Sequence, residues 1–217
     1  MEPQTYNHYV TLNESNHIIA AYSDGPMQGR IPENATLITA KGGYQFALGG
    51  KQNPPLYDGE VALYKWNGKK ALPRTQKEIK TEKEAARIAA QRASKLSELS
   101  EACSAAIYAG IEKNGERYSL TIYDQLELFA QKAALDAGAL AVPYHADGAL
   151  CRMYAADEFN PIAEAAMAHI FYHRTYCNHA GAWARRADAA ELAAIEYGAP
   201  LPPDLAEAME AVLAASA

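Results

Sequence analysis

Three side chains able to ligate a metal or carry a proton, His169, His173 and Cys177, recur at every fourth position, which on a helix stacks them along one face. Two imidazoles and a thiolate are sound zinc ligands, and Cys151 or His145 could supply a fourth from the segment before. The run lacks the Glu that makes His-Glu-x-x-His a hydrolase motif, and the chain has no paired Cys-x-x-Cys knuckle. Helical projection sets His169 and His173 on the same side as Ile162, Ala166 and Ala180. Both histidines are therefore expected to point inward, hydrogen-bonded to Asp124, Gln125 or a backbone carbonyl, with no metal and no cofactor. A thiolate–imidazolium pair at Cys151 or Cys177 is the other chemistry on offer. Cys177 falls mid-helix and Cys151 in a short strand, positions that suit a buried structural thiol better than a nucleophile. No catalytic residue is expected, and a metal-dependent or thiol enzyme using His169, His173 and Cys177 stands as the alternative reading. Gly42-Gly43 and Gly49-Gly50 fit neither phosphate-binding fingerprint. Tyr44, Tyr57 and Tyr64 could stack on a sugar or a protein, although sheet packing explains them equally well.

The elements that must position these residues change character at residues 64–78. Before that junction, short aromatic and β-branched runs alternate with Gly, Pro and Asn; after it, an Ala-rich helical pattern dominates. Strands are predicted at 8–12, 17–22, 36–40, 44–48, 61–66 and 69–72, separated by turn residues including Asp24-Gly25-Pro26. Asn67-Gly68 reads as a type I′ hairpin turn, since both residues tolerate φ > 0. Thr75-x-x-Glu78 reads as a capping box opening a helix over 75–109, about 50 Å long. Ala86, Ala89, Ala93, Leu96, Ser100, Cys103 and Ile107 make a 3.5-residue stripe on it, which resembles a coiled-coil seam. Leu96, Cys103 and Ile107 are accordingly the candidate partner-binding residues, and a homo-oligomer is expected.

Further on, Gly110 and Asn114-Gly115 break that helix. Thr121-x-x-Asp124 caps a second helix carrying Leu126, Phe129, Ala130 and Ala133 and stopped by Gly138. A hairpin is predicted around Asp147-Gly148, then helices over 156–184, 188–198 and 204–217, with fraying of the first at Gly181. The expected fold is thus α+β. A small N-terminal β-rich module (1–72) leads through a long connecting helix (73–110) to a mainly helical domain with short hairpins (111–217).

Composition narrows the function classes. The chain has 217 residues, 49% hydrophobic and 21% charged, as a folded globular protein does. A net charge of −6 recommends neither nucleic acid nor an acidic membrane as ligand. Three cysteines make no disulfide framework, no basic and apolar leader opens the sequence, and no apolar run approaches the roughly 20 residues of a membrane span. Synthesis in a reducing cytoplasm is expected.

Residues 64–78, a Lys-Trp-Asn-Gly strand pair running into Pro-Arg-Thr and a charged helix, resemble the strand-to-helix junction of bacteriophage tail-fibre assembly and baseplate accessory proteins. Val10-Thr11-Leu12 and the stretch 17–23 are similar to the start of such proteins. Residues 96–154 resemble a domain of unknown function found at the C-terminus of phage tail-fibre-associated proteins. The resembling positions are Cys103, Ile107, Gly110, Tyr118-Ser119-Leu120, Asp124-Gln125, Tyr144-His145-Ala146-Asp147-Gly148 and Cys151-Arg152. The resemblance implies a phage or prophage structural or chaperone role, with other tail or fibre proteins as partners. It places the protein in the bacterial host cytoplasm and, for a structural part, in the virion tail. It carries over no catalytic residue, and the chain from Asp188 onward has no counterpart in it.

Overall fold

The structure, a computed structural model, describes residues 4–25, 30–43, 46–48 and 50–215. Helix takes about 47% of the chain and strand 24%, and the two are segregated along the sequence instead of alternating, so the class is α+β. Contacts divide the chain into two compact units, Met1–Arg87 and Ile88–Ala217.

In the first unit, β1 (Tyr6–Leu12), β2 (Ile18–Ser23) and β3 (Thr36–Gly42) form an antiparallel sheet in the order β2-β1-β3. Val10 and Ile18 from this sheet bury themselves against Leu48 and Tyr64. The remaining strands are short antiparallel pairs: β4 (Ala47–Leu48) with β5 (Lys51–Gln52), β6 (Tyr57–Asp58) with β7 (Val61–Ala62), and β8 (Tyr64–Trp66) with β9 (Ala71–Pro73). β5 and β6 were not foreseen, because arms of two residues are too short to show a period of two. Of the predicted features, residues 44 and 45 of the 44–48 strand, Pro26 of its turn and Gly49 lie outside the described residues.

The two-residue turn expected at Asn67-Gly68 falls at the other Asn-Gly pair. Trp66 pairs with Ala71, so a four-residue loop joins β8 to β9, and of Asn67 and Gly68 only the glycine has positive φ. Asn67 instead accepts the Lys69 and Lys70 amides on its side chain, a local bond that competes with the tight turn. The two-residue turn occurs at Asn114-Gly115, with φ of 55° and 80°, joining β10 (Ile111–Lys113) to β11 (Glu116–Tyr118) after the long helix α1 (Gln76–Tyr108).

The capping box at the start of α1 is present: Thr75 Oγ1 accepts from the Glu78 amide, and the Glu78 carboxylate accepts from the Thr75 amide. Lys65 donates to the same carboxylate at 2.5 Å, and these bonds, Lys65 first, hold Glu78 down at about 2. Buried Arg74 donates to Ala62 O and to Glu82, and Lys83 pairs with Asp58. Those contacts tie the first turns of α1 to the strands. Contacts therefore divide the chain inside α1, and not at the expected limits of 72/73 and 110/111.

The second unit holds the rest of α1, the β10–β11 hairpin, α2 (Ile122–Asp136), the pair β12 (Ala141–Tyr144) and β13 (Arg152–Ala155), α3 (Ala156–Arg186), α4 (Ala189–Ala194) and α5 (Pro203–Ala214). The Thr121–Asp124 capping box opens α2. Gly138, at φ 100°, closes it with the paired bonds of a Schellman motif, Gly138 N to Leu135 O and Ala139 N to Ala134 O. The hairpin predicted around Asp147-Gly148 forms with a seven-residue loop between Tyr144 and its partner Arg152, and within that loop Asp147 and Gly148 are the centre of a β-turn closed by Ala149 N donating to Ala146 O. The Asp147 carboxylate accepts from Ser119 N and Oγ at 2.9 and 2.6 Å. α3 does not fray at Gly181, which is buried within it. Phe159, Ile162, Ala163, Ala166 and Ile170 of α3 form one cluster with Tyr118, Leu120 and Leu128, and Tyr176, Ala180 and Ala184 form a second with Leu99, Ile195 and Met209. No helix among the described residues is long and apolar enough to cross a membrane.

Candidate functional site

α1 and α3 run antiparallel, and the contacts along their seam are unusual in kind. Arg92 Nε and Nη2 donate to Ala184 O and Ala187 O at the end of α3, at 3.2 and 3.0 Å. Cys177 Sγ lies 3.7 Å from Leu99 O, Cys103 Sγ 3.4 Å from His173 O, and His169 Nε2 3.0 Å from Ala106 O. Each side chain thus finds a backbone carbonyl of the facing helix. Ala180 and Ala184 of α3 are buried beside Leu99 of α1 in the second cluster. Arg92 also places a cation on the orphan carbonyls at the C-terminus of α3, where the helix dipole favours one.

The structure brings His169 and His173 together, with ring centroids 4.5 Å apart, but it does not make a ligand set of them. His173 Nδ1 bonds Tyr197 Oη at 2.8 Å, and His169 faces the Ala106 carbonyl. Asp124 and Gln125, the expected side-chain partners, are engaged elsewhere: Asp124 in the α2 cap, Gln125 with Leu120 O and Arg174. Cys151 is exposed on the β12–β13 loop, against the expectation of a buried thiol, and His145 contacts its own neighbours. Among the described residues no three His, Cys, Asp or Glu side chains gather as a metal site. Burial, then the charge of His169, pushes the His173 pKa below its ordinary value. Burial, then Cys103, pushes the Cys177 thiol up to about 11, so at neutral pH it is protonated. Tyr197 is raised for the same reasons, burial first and Cys103 second. With its thiol protonated, Cys177 can take part in hydrogen bonds here but supplies no thiolate.

Two of the three residues predicted to bind a partner, Cys103 and Ile107, are buried in the fold. Cys103 is 7% and Ile107 5% exposed, and both belong to the core of their own unit. Leu96 is half-buried against the second cluster. Of the 3.5-residue stripe, Cys103 and Ile107 are buried and Leu96 is half-buried, while Ala86, Ala89, Ala93 and Ser100 are exposed. A different face is left bare. Leu128 and Leu135 turn α2 inward with the amide of Gln125, and this rotates Ile122, Leu126, Phe129, Ala130 and Ala133 to the outside. Ile122 is 59%, Leu126 62% and Phe129 42% exposed, with Tyr123 beside them at 83%. These positions recur at spacings of three and four, so they form one stripe. The sequence shows it only as a helix with apolar residues on too much of its circumference. Of Tyr57 and Tyr64, the second is core and the first donates to Ile19 O; Tyr44 lies outside the described residues.

Arg92 and Tyr197 were missed by sequence reasoning. Their partners are a carbonyl pair and an imidazole distant in the chain, and neither carries a local signature.

No curated protein and no solved structure matches this chain. Residues 90–199, which span the α1–α3 seam, the exposed face of α2 and Tyr197, match the sequence profile described as Domain of unknown function (DUF4376). That is just over half of the 217 residues, and the chain belongs to this family.

Proposed function

We propose that the protein is a non-enzymatic assembly component that works through protein–protein contacts, and that its partners are phage or prophage tail-fibre or baseplate proteins. The observation that carries the first half is the outer face of α2: a contiguous apolar stripe on a helix whose other side already fills the core. Such faces are costly to leave in water and mark contact surfaces in proteins that keep them. The resemblance of residues 64–78 and 96–154 to tail-fibre-associated proteins supports the second half. The role takes one of two forms, a connector retained in the finished tail or a chaperone that acts in the host cytoplasm and then departs.

The test is a tagged chain expressed in induced or infected cells, with captured proteins read by mass spectrometry. Leu126→Lys with Phe129→Lys should abolish capture of tail proteins while changing stability by no more than about 0.5 kcal/mol, since both side chains are exposed. Capture that survives the double change overturns the role of α2. Presence in purified particles identifies the connector, and absence from them the chaperone.

A further inference from the structure

A groove of about 330 Å³ lies between α1 and α3, floored by Leu96, Leu99, Cys103 and Gly181. Its α3 wall carries Arg174, Asn178 and Arg185, spaced four and seven residues apart and therefore on one face. The other arginines of this unit are matched: Arg117 pairs with Asp147, Arg152 with Glu158 and Arg186 with Asp204, while Arg92 caps α3. Arg174 gives one bond to the neutral Gln125 amide, and Arg185 has no carboxylate partner among the described residues. In a chain of net charge −6, two arginines without an acid in one groove is against expectation. The nearby acids of α1 do not supply the charge, since Glu98 pairs with Lys95 and Glu101 accepts from Ser97.

Gly181 belongs to the same arrangement. A Cβ there would meet Arg185 Nη1 at 3.4 Å and Leu96 Cδ2 at 3.7 Å, which places the Arg185 guanidinium over the apolar part of the groove. Arg174 and Arg185 are eleven residues apart, three helical turns or about 16 Å. A small anion does not span that distance. A helix carrying carboxylates at the same spacing does, and its central residues then face half-buried Leu96.

We propose that this groove receives an acidic amphipathic helix of a partner protein, with carboxylates about three turns apart on Arg174 and Arg185 and apolar side chains between them. The inference rests on the assembly reading for the partner being a protein, but it uses a different surface from α2. The experiment is selection by the full chain from a displayed library of helical peptides of about 16 residues, randomised along one face. Enrichment of Asp or Glu at positions ten or eleven apart, with apolar residues between, is the expected result. Arg185→Glu should weaken the best peptide about tenfold or more. Replacing the matching peptide acid by Lys should restore it, an outcome that unfolding cannot imitate. No enrichment of spaced acids overturns the proposal, as does binding that survives charge reversal. The doubly substituted α2 variant leaves the groove intact: if it binds the peptide but loses tail proteins, or the reverse, the two surfaces are judged separately.

Discussion

Burial and the neighbouring His169 imidazole both hold His173 below its ordinary value of 6.5, and Tyr197 keeps the neutral ring in place by bonding Nδ1. The sign of the pH dependence follows from linkage. As pH falls through about 6.5 the unfolded chain takes up a proton at this residue while the folded seam resists it, so the native state loses ground on the acid side and recovers above. The melting temperature should therefore drop between about pH 7.5 and pH 5.5, a window in which ordinary carboxylates stay ionised. His173→Gln, which can still bond Tyr197, should flatten that drop. An equally steep drop in the variant would mean that His173 is not its source. The inward orientation of His169 and His173 was legible from their spacing against Ile162 and Ala166. Their partners were not, because a carbonyl on α1 and a phenol beyond α4 have no place in a local pattern.

At the scale of elements, the caps were legible and the turns only partly so. Thr75, Thr121 and Gly138 announce their helix ends because the bonds they make lie within a few residues. The Asn-Gly signal, by contrast, is shared by two sites, and the register of the paired strands distinguishes them: Trp66 meets Ala71 across four residues, whereas Lys113 meets Glu116 across two. Gly110 and Gly115 sharpen the point, since both have positive φ, 75° and 80°, yet differ in their surroundings. A Cβ at Gly115 meets nothing within 4 Å, whereas at Gly110 it would stand 2.1 Å from Tyr118 O. Gly115→Ala should cost about 1–2 kcal/mol, the penalty of the left-handed conformation alone. Gly110→Ala must in addition displace β11 and should cost about 3 kcal/mol or more. Denaturant titration of the two variants measures the difference, and equal losses would contradict the close approach. The exposed face of α2 was hidden for a related reason. Leu126 and Phe129 are as apolar as Leu128 and Leu135, and only the packing of the whole unit decides which set turns inward.

On the scale of the whole molecule, one helix belongs to two units. From residue 80 to 91 the side chains of α1 are exposed apart from half-buried Glu82 and Ile88. An isolated helix of that length is marginal in water, and the exposed Glu84–Arg87 pair adds little to it. Amide hydrogens over residues 84–91 should exchange with solvent faster than those over residues 96–107, where Leu99, Cys103 and Ile107 are buried. Uniform protection along α1 would argue for a single cooperative body. The sequence showed the long helix and the compositional shift before it. It did not show that contacts part within the helix, because Arg74, Glu82, Lys83 and Asp58 bind across a junction that composition marks as a boundary. The α1–α3 seam has one more consequence, for descent within the family. Arg92, Cys103, His169 and Cys177 all address main-chain oxygens, which every residue carries alike. Ala106, Leu99 and Ala184 can thus be exchanged without any matching change on the opposite helix, provided the replacement fits. Across related chains this contact should leave little trace as paired substitutions, and a search for coupled positions would underrate the joint that holds the domain's first helix to its longest one.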